Sequence, residues 1–139
     1  MKDGVYIKMC EKAVAQGLMP RTEGGYKSWW YIKPIKRTLP LYVSWDTHVG
    51  TFLNFSNTCR NFTLSECVPV FSQDQLQEML KGSPADIYYR FRRFIDGQEG
   101  NPWTSLFEKY LSFEGIWLAF VMKEKFNKVW NGDDFITAA

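Results

Sequence analysis

Apolar residues at Val5, Tyr6, Met9, Cys10, Ala13 and Val14 recur at the spacing of a helix with one buried face. Gly17 stands where a C-terminal cap belongs and Pro20 follows as a stop, so a helix is expected from about Asp3 to Gln16. From residue 20 to 71 the pattern changes. Aromatic and β-branched runs, Tyr26–Lys33, Leu41–Trp45, Thr51–Phe55 and Val68–Phe71, alternate with glycine- and proline-bearing breaks, the spacing of an antiparallel meander. Asn61–Leu64 is a weaker run of the same kind. In Thr51–Phe55, Phe52 falls on one face and Leu53 on the other, so this strand is expected to be covered on both sides. Pro69 confines the last run to a sheet edge or to the first residues of a strand.

The remainder returns to helical spacing. Ser72 and Gln75 form a capping-box pattern that opens a short helix ending near Gly82. Ser83-Pro84-Ala85-Asp86 supplies a cap, a proline at the first helical position and an acid in the first turn. That helix places Ile87, Phe91, Phe94 and Ile95 on one side, and Asp96-Gly97 ends it. Gln98–Pro102 reads as a loop and Thr104–Leu111 as a further short helix. Ser112 caps the last helix, which runs to about Lys128, and Phe113–Met122 is apolar almost all round, the mark of burial on several sides. Asn131-Gly132 is a turn signal that folds Trp130 and Phe135 back onto the body. The expected fold is α+β: an N-terminal helix, a small antiparallel sheet of three to five strands over about 26–71, and a helical C-terminal half packed on one face of it. At 139 residues, a single domain over 1–139 is expected.

Composition adds one hint and several exclusions. Six Trp, seven Tyr and eleven Phe exceed what one small core needs, and the surplus is the material of recognition surfaces. A net charge of +2 does not by itself call for nucleic acid or a membrane. The charge is uneven, however. Between Arg21 and Trp45 five cations (Arg21, Lys27, Lys33, Lys36, Arg37) face only Glu23. Three cysteines without Cys-x-x-Cys spacing argue against a disulfide framework and against a cysteine zinc site. The first residues lack the apolar core of a signal peptide, and Ile116–Met122 is too short an apolar run to span a membrane, so the cytoplasm is the expected location.

Three stretches carry a resemblance. Gln73–Met79, Ile116–Phe126 and Val129–Asp133, with Tyr6–Ala13 at the start, resemble a loose group of short uncharacterised proteins encoded in bacteriophages, prophages and conjugative elements. Together they cover 31 of the 139 residues, under a quarter of the chain; residues 20–67 lie outside the likeness. The resemblance implies a shared scaffold and a mobile-element origin, hence the cytoplasm of a bacterial host, and it transfers no functional residue.

Catalytic chemistry finds little support in the residues. His48, the single histidine, follows Asp46 at strand spacing, which allows an oriented general base or, more plainly, a polar loop between strands. No nucleophile elbow, phosphate-binding loop or metal-ligand spacing is present, so no enzyme, cofactor or metal is expected. The middle segment is more informative. In a strand, Lys27, Trp29, Tyr31 and Lys33 share one face, opposite Ser28, Trp30 and Ile32, and Lys36 and Arg37 follow. A basic-aromatic face of this kind suits single-stranded nucleic acid or an acidic protein surface; the plain alternative is a two-sided strand whose lysines extend beside packed rings. Arg90 and Arg93, near Tyr89, are candidates to extend the patch.

The expected function is therefore binding: an accessory protein that engages a host or phage protein, for example as an inhibitor of a bacterial defence system. The alternatives are direct nucleic-acid binding through the same face, which the modest charge disfavours, and sequestration of a nucleotide or other small anion. An edge strand and spare aromatics leave homo-oligomerisation open.

Overall fold

The computed structural model describes residues 4–19, 27–46, 50–54, 61–97, 102–110 and 112–138; for Lys27, residues 42–46 and 50–54, Asn61, Pro102, Trp103 and Phe107 it describes the backbone alone. The chain is α+β and forms two compact units, Met19–Phe71 and the combination of Met1–Leu18 with Ser72–Ala139.

In the first of these units all pairing is antiparallel. β1 (Lys27–Ile32), β2 (Arg37–Asp46), β3 (Gly50–Asn54), β4 (Asn61–Thr63) and β5 (Cys67–Pro69) take the order β4-β3-β2-β1-β5. β2 begins four residues before the expected start at Leu41, and it contains Pro40. The register explains why proline is tolerated there. Pro40 sits opposite Trp29 of β1, whereas β3 pairs only with Tyr42–Asp46, so no second ladder needs the missing N–H. Pro69 likewise falls in β5, which pairs only with β1.

The sheet has to curl. β4 and β5 end the strand order, about 19 Å apart in a flat sheet at the usual strand spacing. Yet only one 3-10 turn, Leu64–Glu66, joins them, and four residue steps reach at most about 14 Å even when fully extended. A 3-10 turn is much shorter than that. The interior bears this out: Phe62 of β4 and Cys67 of β5 share one buried cluster with Trp30, Ile32 and Leu41, against which Ile35 and Leu39 pack. Two short edges brought towards each other leave little unpaired backbone for stray pairing.

The second unit is built around α5 (Phe113–Phe126). Ser112 Oγ accepts from the Gly115 N–H at 3.0 Å, and Asn127 closes the helix in the left-handed conformation at φ 54°. Every residue from Gly115 to Met122 is buried. α1 (Gly4–Ala15), α2 (Gln73–Glu78) and α4 (Pro102–Tyr110) all pack on it. α3 (Pro84–Asp96) adds Phe91, whose ring stacks on Trp117 with centroids 4.0 Å apart and planes 5° from parallel. α4 starts at Pro102 rather than at Thr104; proline there occupies the first helical position, as Pro84 does in α3.

After α5, β6 (Lys128–Trp130) and β7 (Phe135–Thr137) form the hairpin that Asn131-Gly132 announces. Asn131 Oδ1 accepts from the N–H groups of Asp133 and Asp134, both at 2.8 Å. Trp130 and Phe135 are buried, opposite one another in the register. Lys8 of α1 pairs with Asp133 in the turn and holds its carboxyl below the usual carboxylate range, chiefly by hydrogen bonding. The Gln16 side chain reaches the Phe135 carbonyl at 3.4 Å.

Gly115 offers a test of the packing. A Cβ placed there would lie 2.8 Å from the Tyr110 carbonyl oxygen. Alanine normally stabilises a helix interior by about 1 kcal/mol over glycine, but overpacking of this kind costs about 1–3 kcal/mol. Gly115→Ala is thus expected to lower the urea midpoint; a raised midpoint would contradict the close approach.

Candidate functional site

β1 has the two-sided character that its alternation predicts. Ser28, Trp30 and Ile32 are buried, whereas Trp29 is 53% exposed and Tyr31 is half-buried. Pairing fixes their neighbours: Trp29 stands opposite Pro40, and Tyr31 lies between Thr38 of β2 and Val68 of β5. The Val70 N–H donates to the Trp29 carbonyl at 2.8 Å, which ties the backbone beneath the exposed indole.

The strand stops at Ile32, so Lys33 heads the β1–β2 turn rather than ending the strand. Its N–H donates to the Glu66 carbonyl at 2.8 Å. Lys36 adopts φ 54°, and its N–H donates to the carbonyls of Ile32 at 2.8 Å and Lys33 at 3.3 Å. Ile35 packs on the buried cluster, while Lys33, Lys36 and Arg37 are exposed. The turn therefore keeps its apolar residue inside and presents its three cations outside. Glu66 is the one carboxylate among the described side chains of this unit, and its Oε1 accepts from the Thr63 N–H and hydroxyl at 3.0 and 3.1 Å. Lys27 is in β1, with its side chain outside the described ones.

Arg90 and Arg93 belong to the helical unit. Arg90 donates to Glu124 and to the Lys81 carbonyl, linking α3, α5 and the segment after α2. That arginine works within its own unit. Arg93 is exposed, with its guanidinium 5.9 Å from the Tyr89 ring centroid. One position earlier, Arg92 repeats the arrangement over Tyr88 at 6.0 Å and hydrogen-bonds its hydroxyl at 3.3 Å.

A cleft of about 470 Å³ in the same unit was not anticipated. Asp74, Gln77 and Glu78 of α2 form one wall, Pro84, Ile87 and Tyr88 of α3 the other, and Trp117 of α5 also lines it. The signal available in the sequence was the i, i+4 spacing of Asp74 and Glu78, which puts both carboxylates on one helix face. Trp117 is only 5% exposed, and its Nε1–H is buried without an acceptor.

Among the described residues, no group of three or more His, Cys, Asp or Glu could hold a metal ion. The Cys67 thiol is pushed up to about 11 by burial, with Glu66 adding to the effect and Lys33 opposing it. Asp46 is in β2 with only its backbone described, and His48 and Cys59 lie outside the described residues.

A thiol with that value is almost wholly protonated at neutral pH and is a poor nucleophile. Cys67 and the buried Cys10 should react with a disulfide reagent at pH 8 far more slowly in the native protein than in urea. Rapid native labelling of Cys67, located by mass spectrometry, would contradict its burial.

No family model matches this chain, and neither does any curated protein or solved structure.

Proposed function

We propose that this protein acts by binding rather than catalysis, and that the outer face of β1 with the β1–β2 turn engages an acidic surface of another protein. The observation that carries this reading is Trp29, more than half exposed on a strand whose other face is core. Tryptophan is the residue type most enriched among interface hot spots, where a rigid ring is covered on binding and nearby charges fix the orientation. Lys33, Lys36 and Arg37 supply those charges at the adjoining turn.

A direct nucleic-acid role uses the same residues, with bases stacked on Trp29 and phosphates at the turn. Three clustered cations support few phosphate contacts, and affinity for a polyanion rises with the number of such contacts, so the protein partner is favoured. The biological setting we propose is the one that the resemblance of residues 73–79, 116–126 and 129–133 implies. That setting is an accessory protein of a phage or other mobile element, directed at a host or phage protein such as a component of a defence system.

The test is capture from a bacterial host lysate, identification of the retained protein, and titration with purified partner. Trp29→Ala is expected to weaken that complex by about tenfold or more, about 1.4 kcal/mol. Lys33→Ala/Lys36→Ala/Arg37→Ala should weaken it further at low salt than at high salt. An oligothymidylate mobility shift with steep salt dependence, and no effect of Trp29→Ala on any protein complex, would replace this reading with the nucleic-acid one.

A further inference from the structure

We infer that the outer face of α3 pairs with the same face of a second copy of this chain, the two helices running antiparallel about a two-fold axis beside Tyr89. The contact belongs to the helical unit alone and is independent of the role proposed for β1.

α3 turns its apolar side inward, with Phe91 and Ile95 buried. Its outer side is richer than a plain solvated face. Tyr88 and Tyr89 stand next to each other, 61% and 62% exposed. Each ring has the guanidinium of the residue four positions on beside it, Arg92 at 6.0 Å and Arg93 at 5.9 Å from the ring centroids. Tyrosine and arginine are the residue types enriched where one protein surface is covered by another.

Charge decides which partner fits. Asp86, Tyr89, Arg93 and Asp96 follow one another along the exposed side at helical spacing, so the charges read negative, positive, negative. Two acids against Arg92 and Arg93 leave no net attraction for a polyanion or an acidic surface. The pattern is instead complementary to itself, which is all that a two-fold contact requires. Asp86 and Arg93 lie equally far on either side of a point just past Tyr89. An axis there sets Asp86 of each copy level with Arg93 of the other, so the pair forms twice. These are also the two charges of the stripe that have no ion-pair partner among the described residues. Arg92, by contrast, donates to the Tyr88 hydroxyl and lies 4.0 Å from Asp96.

The same axis brings the two Tyr89 rings together at the centre, with Arg92 of the opposite copy within reach. Asp96 is the last residue of α3, where the helix dipole disfavours an acid, and the antiparallel copy offers it an N-terminal end. A parallel pair would set Arg92 on Arg92 and Arg93 on Arg93, and like charges at that range repel. α3 is about 20 Å long, and one helix pair of that length covers less than about 1,200 Å² in all, the low end for specific contacts. The association is therefore weak and depends on protein concentration.

The test is sedimentation equilibrium of the full chain up to about 1 mM, where a weak pair is populated. The average mass should rise towards that of two chains, and less so in 0.5 M salt than at about 0.05 M. Asp86→Arg and Arg93→Asp should each lower the association constant by about tenfold or more, because each sets like charges across the axis. Asp86→Arg/Arg93→Asp, which exchanges the two charges, should restore it. Restoration separates pairing from folding: both single changes oppose the helix dipole, so their effects on stability add rather than cancel. The far-UV helical signal and the urea midpoint verify that each variant is folded. A chain that stays monomeric throughout, single variants that associate as the parent does, or a double variant that is not restored would each overturn the proposal. Association lost on Trp29→Ala would place the contact on the sheet and overturn it too. A monomeric chain that binds oligothymidylate, with binding lost in Arg92→Ala/Arg93→Ala, would give the face to nucleic acid instead.

Discussion

A helix that is apolar all round has to be covered all round. α5 has no polar side between Gly115 and Met122, and the rest of its unit is arranged by that fact. α1, α2 and α4 pack on it, and Phe91 of α3 fixes Trp117 by a near-parallel stack. The hairpin that follows continues the cover, with β6 packed on α5 and β7 on α1. Burial of this kind stabilises by roughly 25 cal/mol per Å² of apolar surface removed from water, and no single hydrogen bond in the unit approaches the total. The cleft is a by-product of the same geometry, since α2 and α3 leave Trp117 lining an opening between them.

The sheet unit obeys a different constraint, one of chain length. A three-residue turn cannot join the two ends of a flat five-stranded sheet, so the strands curl and enclose Trp30, Ile32, Leu41, Phe62 and Cys67. Curling gives β1 an inside and an outside. Trp30 goes to the first and Trp29 to the second, and one step along the chain separates core from candidate interface. Ile35 anchors the turn to the same cluster, which is why Lys33, Lys36 and Arg37 all remain outside.

Much of this was legible in the sequence because it is written in local chemistry. Ser72, Ser83 and Ser112 are caps by residue type and position, and Asn131-Gly132 is a turn by backbone preference; each forms where expected. The alternation in β1 was equally readable. Errors arose where a local rule yields to pairing. Pro40 looks like a break until the register shows that one neighbour alone needs its backbone there. Pro102 looks like loop until it is seen as a first helical residue. The fate of Arg90 depends on Glu124, far away in sequence, and the cleft depends on three helices meeting. Neither is encoded in any window short enough to read by eye.

The placement of the sheet unit within the chain bears on how the molecule is made. Residues Met19–Phe71 interrupt the helical unit, so α1 is separated from α5 and β7 by the whole sheet. On a ribosome, α1 is made before the sheet, and α5, the helix it covers, only after it. Until then the apolar side of α1, with Tyr6, Met9, Cys10 and Ala13, lacks its proper cover. The strand pairing of the sheet lies wholly within its own unit, so its register can form before the rest of the helical unit is made. The inserted unit thereby serves as a spacer in time as well as in sequence, during which the apolar side of α1 waits for its cover.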